Sequence, residues 1–271
     1  MDKPAPARYQ GDFLAWNGGA LLIGTSAGPP IAPHSHYAIQ IVIAAPEGLR
    51  VQFGRNGPWV ACAGAMVPSR ATHTIDVSAC EWSAVLFVEP DTLRGRALTA
   101  RLAGQLELLA PDRVAPLRDA MKKAWRIDRD ADALRSLCTG LIGELAQTSE
   151  LRVSDPRVLL AVEYIAQRAN QAVTLEELAA HVHLSPGRFR HLFVAQTGMP
   201  LRTYVLWRRL LYVWSCLKEN ESLSSAAHTA GFADSAHLSR TARNMFGLPP
   251  SALQITGPLS EASRTPRRHF G

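Results

Sequence analysis

The chain has 271 residues, 47% of them hydrophobic and 19% charged, which is enough for two domains of ordinary size and excludes a disordered or fibrous protein. Its net charge of +6 lies wholly beyond residue 150: Lys/Arg against Asp/Glu run 15 to 15 over 1–150, 11 to 7 over 151–256 and 3 to 1 over 257–271, so the C-terminal part is the one suited to a polyanion. Four scattered cysteines (Cys62, Cys80, Cys138, Cys216) without a CxxC pair exclude a disulfide framework, and the lack of a leader or of ~18 consecutive apolar residues points to a cytoplasmic protein that meets no membrane.

From Phe13 to Pro90 the sequence consists of short runs rich in Val and Ile, at 20–24, 38–45, 49–54, 59–68, 72–78 and 82–90, broken by APEG, GRNGP and PSRA. Such runs with turn residues between them and no helical period read as strands joined by hairpin loops, in a sandwich or small β-barrel. After Pro90 the period becomes helical, through Leu102, Leu106 and Leu109, then 117–127, then Leu134, Leu137, Leu141, Ile142 and Leu145. Helices placed there can close the barrel, link it to a second domain or pair two chains. Ser154-Asp155-Pro156 caps a further helix running to Arg168, which sets the domain boundary near 152.

The last third holds an internal repeat, Leu175 to Gly198 and Leu223 to Gly247, offset by 48 residues at the start (223 less 175) and 49 at the end (247 less 198). Each copy reads as a short helix with alanine at its fifth position (Ala179, Ala227), a turn, and a second helix ending at glycine. Alanine there lets two helices cross steeply with their backbones close. Leu178, Val182, Leu184, Phe189, Leu192 and Phe193 fill the core positions of copy one. In copy two Ala226, Ala230, Phe232 and Leu238 match them, and Gly231 suits a turn of positive φ. An apolar and basic helix over 200–218 joins the copies, so that two helix-turn-helix units can enter successive major grooves about 34–36 Å apart. Arg208 and Arg209 on that rod are candidates for phosphate contact, or for a solvated face.

With these features the segment 157–254 resembles the AraC/XylS family of transcription regulators, through Gly231–Leu253 (GFADSAHLSRTARNMFGLPPSAL) and Leu184–Phe193 (LSPGRFRHLF). The resemblance implies an operator-binding regulator, with RNA polymerase as partner if it activates. Its recognition helices would present Gly187, Arg188, Arg190 and His191 in unit one, and Ser235, Ala236, His237, Ser239, Arg240 and Arg243 in unit two. Arg190 and Arg240 suit base contact, because a guanidinium grips guanine O6 and N7 together; neutralising phosphate is the plainer role. Thr241 and Ala242 stand where the family has large apolar residues, which implies a looser second unit and more specificity in the first.

The N-terminal half resembles the cupin-type arm of the same family, through Gly28, His34, His36 and Gln40 and through Gly64, Pro68 and His73. In metal cupins an HxH pair, a glutamate and a later histidine converge on one ion. Here Gln40 takes the glutamate's place. His34, His36 and His73 are thus candidates for a divalent metal, and the same three with Gln40 for a small-molecule effector, in a strand-borne HxH whose i and i+2 residues share a face.

The expectation is an α+β protein of two domains: a cupin-like β-barrel over 1–90, linker or dimerisation helices over 91–152, an all-α domain with two helix-turn-helix motifs over 153–256, and a disordered tail over 257–271 with Arg264, Arg267 and Arg268 near phosphate. Double-stranded DNA, an effector and a second copy are its expected partners. A cupin-type metal enzyme explains the histidines but leaves the repeat without a role, and a module whose helices bind protein would be favoured by a gel shift that is absent or insensitive to salt. With no nucleophile constellation or phosphate-cradling loop, no catalysis is expected.

Overall fold

The computed structural model describes residues 8–45, 48–147, 155–168, 171, 173–218 and 221–255; the expected tail, the boundary near 152 and the Ser154 cap lie outside these. In chain order the elements are β1 Arg8–Trp16, β2 Gly19–Ala27, β3 Ile39–Ala44, β4 Arg50–Phe53, β5 Trp59–Ala61, β6 Gly64–Val67, β7 His73–Asp76, β8 Ser83–Val88, α1 Leu93–Leu102, β9 Glu107–Leu109 and α2 Pro111–Lys122. A π-helical turn at Lys123–Ile127 leads to α3 Ala131–Leu145, α4 Pro156–Gln167, α5 Leu175–His181, α6 Pro186–Thr197, α7 Leu201–Lys218, α8 Leu223–Thr229, α9 Ser235–Phe246 and β10 Leu253–Ile255. A sheet-rich N-terminal part is thus followed by a helical C-terminal part, and among the described residues no helix is long and apolar enough to cross a membrane.

The strands do not close into a barrel. They form a seven-stranded sheet in the order β10-β1-β2-β8-β3-β6-β9 and a three-stranded sheet in the order β5-β4-β7. The run 59–68 that reads as one strand breaks at Cys62, sending β5 to the small sheet and β6 to the large one. The segment ahead of β3 makes an isolated bridge to β7, His34 with His73. The edges of the large sheet are taken by β9 and β10, two three-residue strands from beyond residue 90, β10 running parallel to β1 with Tyr9 opposite Leu253.

Both faces of the large sheet are covered, so β3, β6 and β8 are buried at every position. One face carries Leu21, Ile23, Ile39, Ile41, Ile43 and Leu86 against Leu98, Met121, Leu134, Cys138 and Leu145 of α1, α2 and α3. These helices therefore cover one face of the large sheet. On that side buried Asp12 accepts from Trp125 Nε1 at 2.6 Å and from both terminal nitrogens of Arg129 at 2.9 and 3.0 Å. The other face carries Phe13, Ala20, Val42, Val85 and Phe87. These share one continuous core with Trp207, Trp214, Leu238 and Phe246 of the helical part.

The helical repeat holds to the level of single hydrogen bonds. Thr174, Ser185, Ser222 and Asp234 cap α5, α6, α8 and α9, each side chain accepting a backbone N–H. The turn residue is left-handed in both copies, His183 with φ 55° and Gly231 with φ 73°. Just after it Leu184 N–H donates to Ala179 O at 2.8 Å, as Phe232 N–H does to Ala227 O at 2.9 Å. Ala179 and Ala227 are buried, as close helix crossing requires. Thr241 and Ala242, the small residues of the second unit, are both buried, and the Thr241 hydroxyl donates to His237 O at 2.9 Å.

Candidate functional site

Two sites emerge, an outward one on α6 and α9 and an inward one behind α9. On α6 the capped first turn leaves Gly187, Arg188, Arg190 and His191 exposed, while Phe189 and Phe193 are buried. On α9 Ala236, Arg240 and Arg243 are exposed, and Ser235, His237 and Ser239 half-buried. His237 is occupied locally: its Nδ1 accepts from Ala233 N–H at 3.5 Å and its ring packs on Phe232 at 5.3 Å. It serves the α9 cap more than an outward surface. Arg190 and Arg240 have no acidic partner among the described ion pairs.

Arg208 and Arg209 take neither role expected for them. Arg208 points inward from α7 and donates to Glu89 Oε1 at 2.5 Å, and Trp207 Nε1 donates to the same oxygen at 3.2 Å. Glu89 is 1% exposed. Burial opposes the charge on Arg208, and the Glu89 carboxylate more than restores it, so its pKa stands above the ordinary guanidinium value. Beside it Tyr37 OH donates to Asp91 at 2.5 Å, and burial together with the charge of Glu89 raises the Asp91 carboxyl to about 6. Arg209 instead ties the helical part together, donating to Gly231 O at 2.7 Å and Gln171 O at 3.2 Å. The lone Glu-Pro-Asp after an apolar strand was the available signal for a partner to an arginine on an apolar helix.

The inward site is built from the segment before β3 and from β7. The HxH pair lies ahead of β3 and not on a strand, but the backbone is held extended by reciprocal bonds, His34 N–H to His73 O at 3.1 Å and His73 N–H to His34 O at 3.0 Å. His34, His36, His73 and Gln40 are all buried, and the three imidazoles offer ligand atoms within 4.8 Å of one another. Each Nδ1 lies 2.9 Å from a carbonyl oxygen, of Ala32, Ala38 and Ala71 in turn. A carbonyl only accepts, so each Nδ1 carries the proton and each Nε2 is a bare lone pair.

Gln40 answers two of those lone pairs. Gln40 Oε1 stands 2.6 Å from His36 Nε2 and 3.1 Å from His73 Nε2; an acceptor cannot pair with two bare lone pairs, so the amide is assigned with oxygen and nitrogen exchanged, one N–H to each ring. Three imidazoles in this tautomer are also the donor set that holds a zinc ion with an open fourth position. Burial holds all three histidines below their usual range, His34 at about 3, with the neighbouring rings adding to the effect on His34 and His73. The trio is therefore uncharged.

This pocket is roofed by the helical part. Phe246, in the last turn of α9, stacks on Trp207 at 5.4 Å and 26° and meets Phe87 edge-on at 5.3 Å. The His36 ring lies 6.2 Å from Trp207 and 6.3 Å from Phe246. Gly247 follows with φ 69°, where a Cβ would stand 2.5 Å from Ile31 Cγ2 and 2.7 Å from Ala32 O, so glycine permits both the backbone turn and the close approach. A cavity of about 40 Å³ remains beneath, lined by His34, Gln40, Ser83 and Phe87 and closed by Phe246 and Leu248.

Comparison with known proteins bears on both parts. Residues 178–254 match a family model described as a helix-turn-helix domain. The multiple antibiotic resistance protein MarA of Salmonella typhimurium is 28% identical over 102 residues, 37% of this chain and 80% of that protein. The uncharacterized HTH-type transcriptional regulator YijO of Escherichia coli is 30% identical over 139 residues, and the regulatory protein PocR of Salmonella typhimurium 27% over 99. The chain spans 48% of YijO and 33% of PocR. The crystal structure of ToxT from Vibrio cholerae superposes with a TM-score of 0.55 at 11% identity, covering 90% of this chain and 94% of ToxT, which extends the likeness in fold across the sheet-rich part. The C-terminal part of the chain is a helix-turn-helix domain of the AraC type.

Proposed function

We propose that the chain is a sequence-specific DNA-binding transcription regulator with two helix-turn-helix units, α5–α6 and α8–α9, and an effector pocket behind the second. The observation that carries this is the pair of capped helices repeating bond for bond, each turning an arginine-bearing face outward while its aromatic side is buried. Arg190 and Arg240 are assigned to base edges, Arg188 and Arg243 to phosphates, and unit one to the larger share of specificity. The reading assigns no catalytic group and places the protein in the cytoplasm, with operator DNA, an effector, a second copy and, where it activates, RNA polymerase as partners. ToxT from Vibrio cholerae has been crystallised with an unsaturated fatty acid bound, and its likeness in fold supports an effector site in the sheet-rich part here.

Binding of genomic fragments at several salt concentrations tests the reading. Affinity should fall with salt at a logarithmic slope of about −0.9 per neutralised phosphate, whereas absent or salt-insensitive binding overturns it. Coupling must also be reciprocal, so operator must change effector affinity by the factor by which effector changes operator affinity. A divalent ion is the second reading of the pocket, favoured by the three unprotonated Nε2 atoms. Metal analysis of wild type against His36→Ala separates the two.

A further inference from the structure

Resting on the regulator reading above, we infer that the effector is an uncharged, largely apolar molecule carrying a hydroxyl group, and that it binds between His34 and Ser83 by displacing the Phe246 ring. The walls of the cavity set the class. Leu22, Ile75, Val85 and Phe87 are apolar, and no Lys, Arg, Asp or Glu lines it. A charged ligand would lose its hydration there with nothing to replace it.

Two polar atoms set the functional group. The Ser83 hydroxyl is buried, faces the cavity and has no hydrogen-bond partner. His34 donates through Nδ1 to Ala32 O, so its Nε2 can only accept, and no described residue donates to it. A ligand hydroxyl can pair with either, giving its proton to His34 Nε2 or exchanging hydrogen bonds with the partnerless Ser83 Oγ, both of which belong to residues lining the cavity. Leaving buried polar atoms unpaired is costly, so the pocket discriminates against a hydrocarbon of the same shape as well as against an ion.

The lid sets the regulation. At about 40 Å³ the cavity has room for water and little more, so an organic molecule gains space only where Phe246 and Leu248 withdraw. Phe246 ends α9, the helix that presents Arg240 and Arg243. The effector therefore acts on the second unit by direct competition with its own last turn, with no relay through the helices over 91–152.

A matched set of probes on the full chain tests this: benzyl alcohol, toluene, benzoate and benzylamine, which share the ring they would displace. Fluorine NMR of fluorotryptophan-labelled protein reads the lid, because Trp207 and Trp214 both touch Phe246; Trp207→Phe and Trp214→Phe assign the signals. Benzyl alcohol should shift both resonances saturably, toluene should bind about tenfold more weakly, and benzoate and benzylamine should leave them unmoved. Phe246→Ala should bind benzyl alcohol about tenfold more tightly than wild type, since the competing ring is gone. Phe246→Leu, which keeps most of the core volume, should gain in the same direction. Ser83→Ala should bring benzyl alcohol down to the toluene level. Benzoate binding as well as benzyl alcohol, or no probe moving either signal even in the Phe246 variants, overturns the inference. DNA binding by the unliganded wild type is scored separately, so its loss would sink the regulator reading without touching the pocket result.

Discussion

Arg208→Ala separates two accounts of the same residue. If Arg208 served DNA, its loss would cost affinity and lower the salt slope by about one, with little effect on folding. The structure places it instead against Glu89, with side-chain exposures of 15% and 2% for arginine and glutamate. Removing the arginine leaves a buried carboxylate with the Trp207 N–H at 3.2 Å as its remaining described hydrogen bond. One-sided loss of a buried pair costs about 3–5 kcal/mol, against about 0–1 kcal/mol for an exposed one. Denaturant unfolding of the full chain followed by tryptophan fluorescence measures the cost. The double variant Glu89→Leu with Arg208→Met, which removes both charges and keeps apolar volume, should recover most of it. A loss under about 1 kcal/mol in Arg208→Ala, or a salt slope lowered by one with stability intact, refutes the reasoning.

Arg190→Ala should cost about 1–3 kcal/mol against one base pair and relax the preference there, read by competition between singly substituted operators; a uniform loss with a lower salt slope would make it a phosphate contact. Gln40→Glu supplies the anionic group that the histidine trio lacks. The variant should take up zinc stoichiometrically and gain thermal stability from it, while wild type after dialysis holds less than one ion per chain by elemental analysis. Stability should fall as pH drops from about 6.5 toward about 3, because the unfolded chain protonates three histidines near 6.5 that the folded protein keeps neutral, His34 down to about 3. Asp91 works the other way: raised to about 6 when folded, it holds a proton that the unfolded chain gives up near 4, so its contribution declines as pH rises between those values. Asp91→Asn should accordingly gain on wild type from about pH 4 to 6 and run level above, by thermal unfolding across that range.

The residues that were legible in the sequence are those whose geometry is local. Caps, helix-ending glycines and buried alanines recur 48 or 49 residues apart, and each reports on neighbours within a few positions, so the two helix pairs follow from the text. The Val/Ile runs likewise announce β2, β3, β4, β7 and β8. Strands β9 and β10 are three residues long, too short to carry a period, and they are strands because a distant edge accepts them. The runs alone leave a sandwich and a small barrel both open, and the strands form two sheets that do not close. Arg208 shows the same limit in a side chain. A cation on an apolar helix asks for a partner, but Glu89 is 119 positions away, and spacing alone carries no trace of it. The histidines lie between these cases: their convergence was legible from HxH and a third imidazole, while their seat ahead of β3 and the aromatic roof above them depend on how the two parts meet.

The pairing of β10 with β1 changes what motion between the two parts is available. The chain leaves the sheets after α3, builds the helical part and comes back to lie beside the first strand, Tyr9 to Leu253, Gln10 to Gln254 and Gly11 to Ile255. The architecture is thus a buckled belt and not a hinge: swinging the helices away means unfastening three rungs at the buckle as well as withdrawing the roof. Substitution at Gln254, which is exposed and does not line the cavity behind α9, is accordingly where the threshold for opening can be tuned without altering what either face recognises.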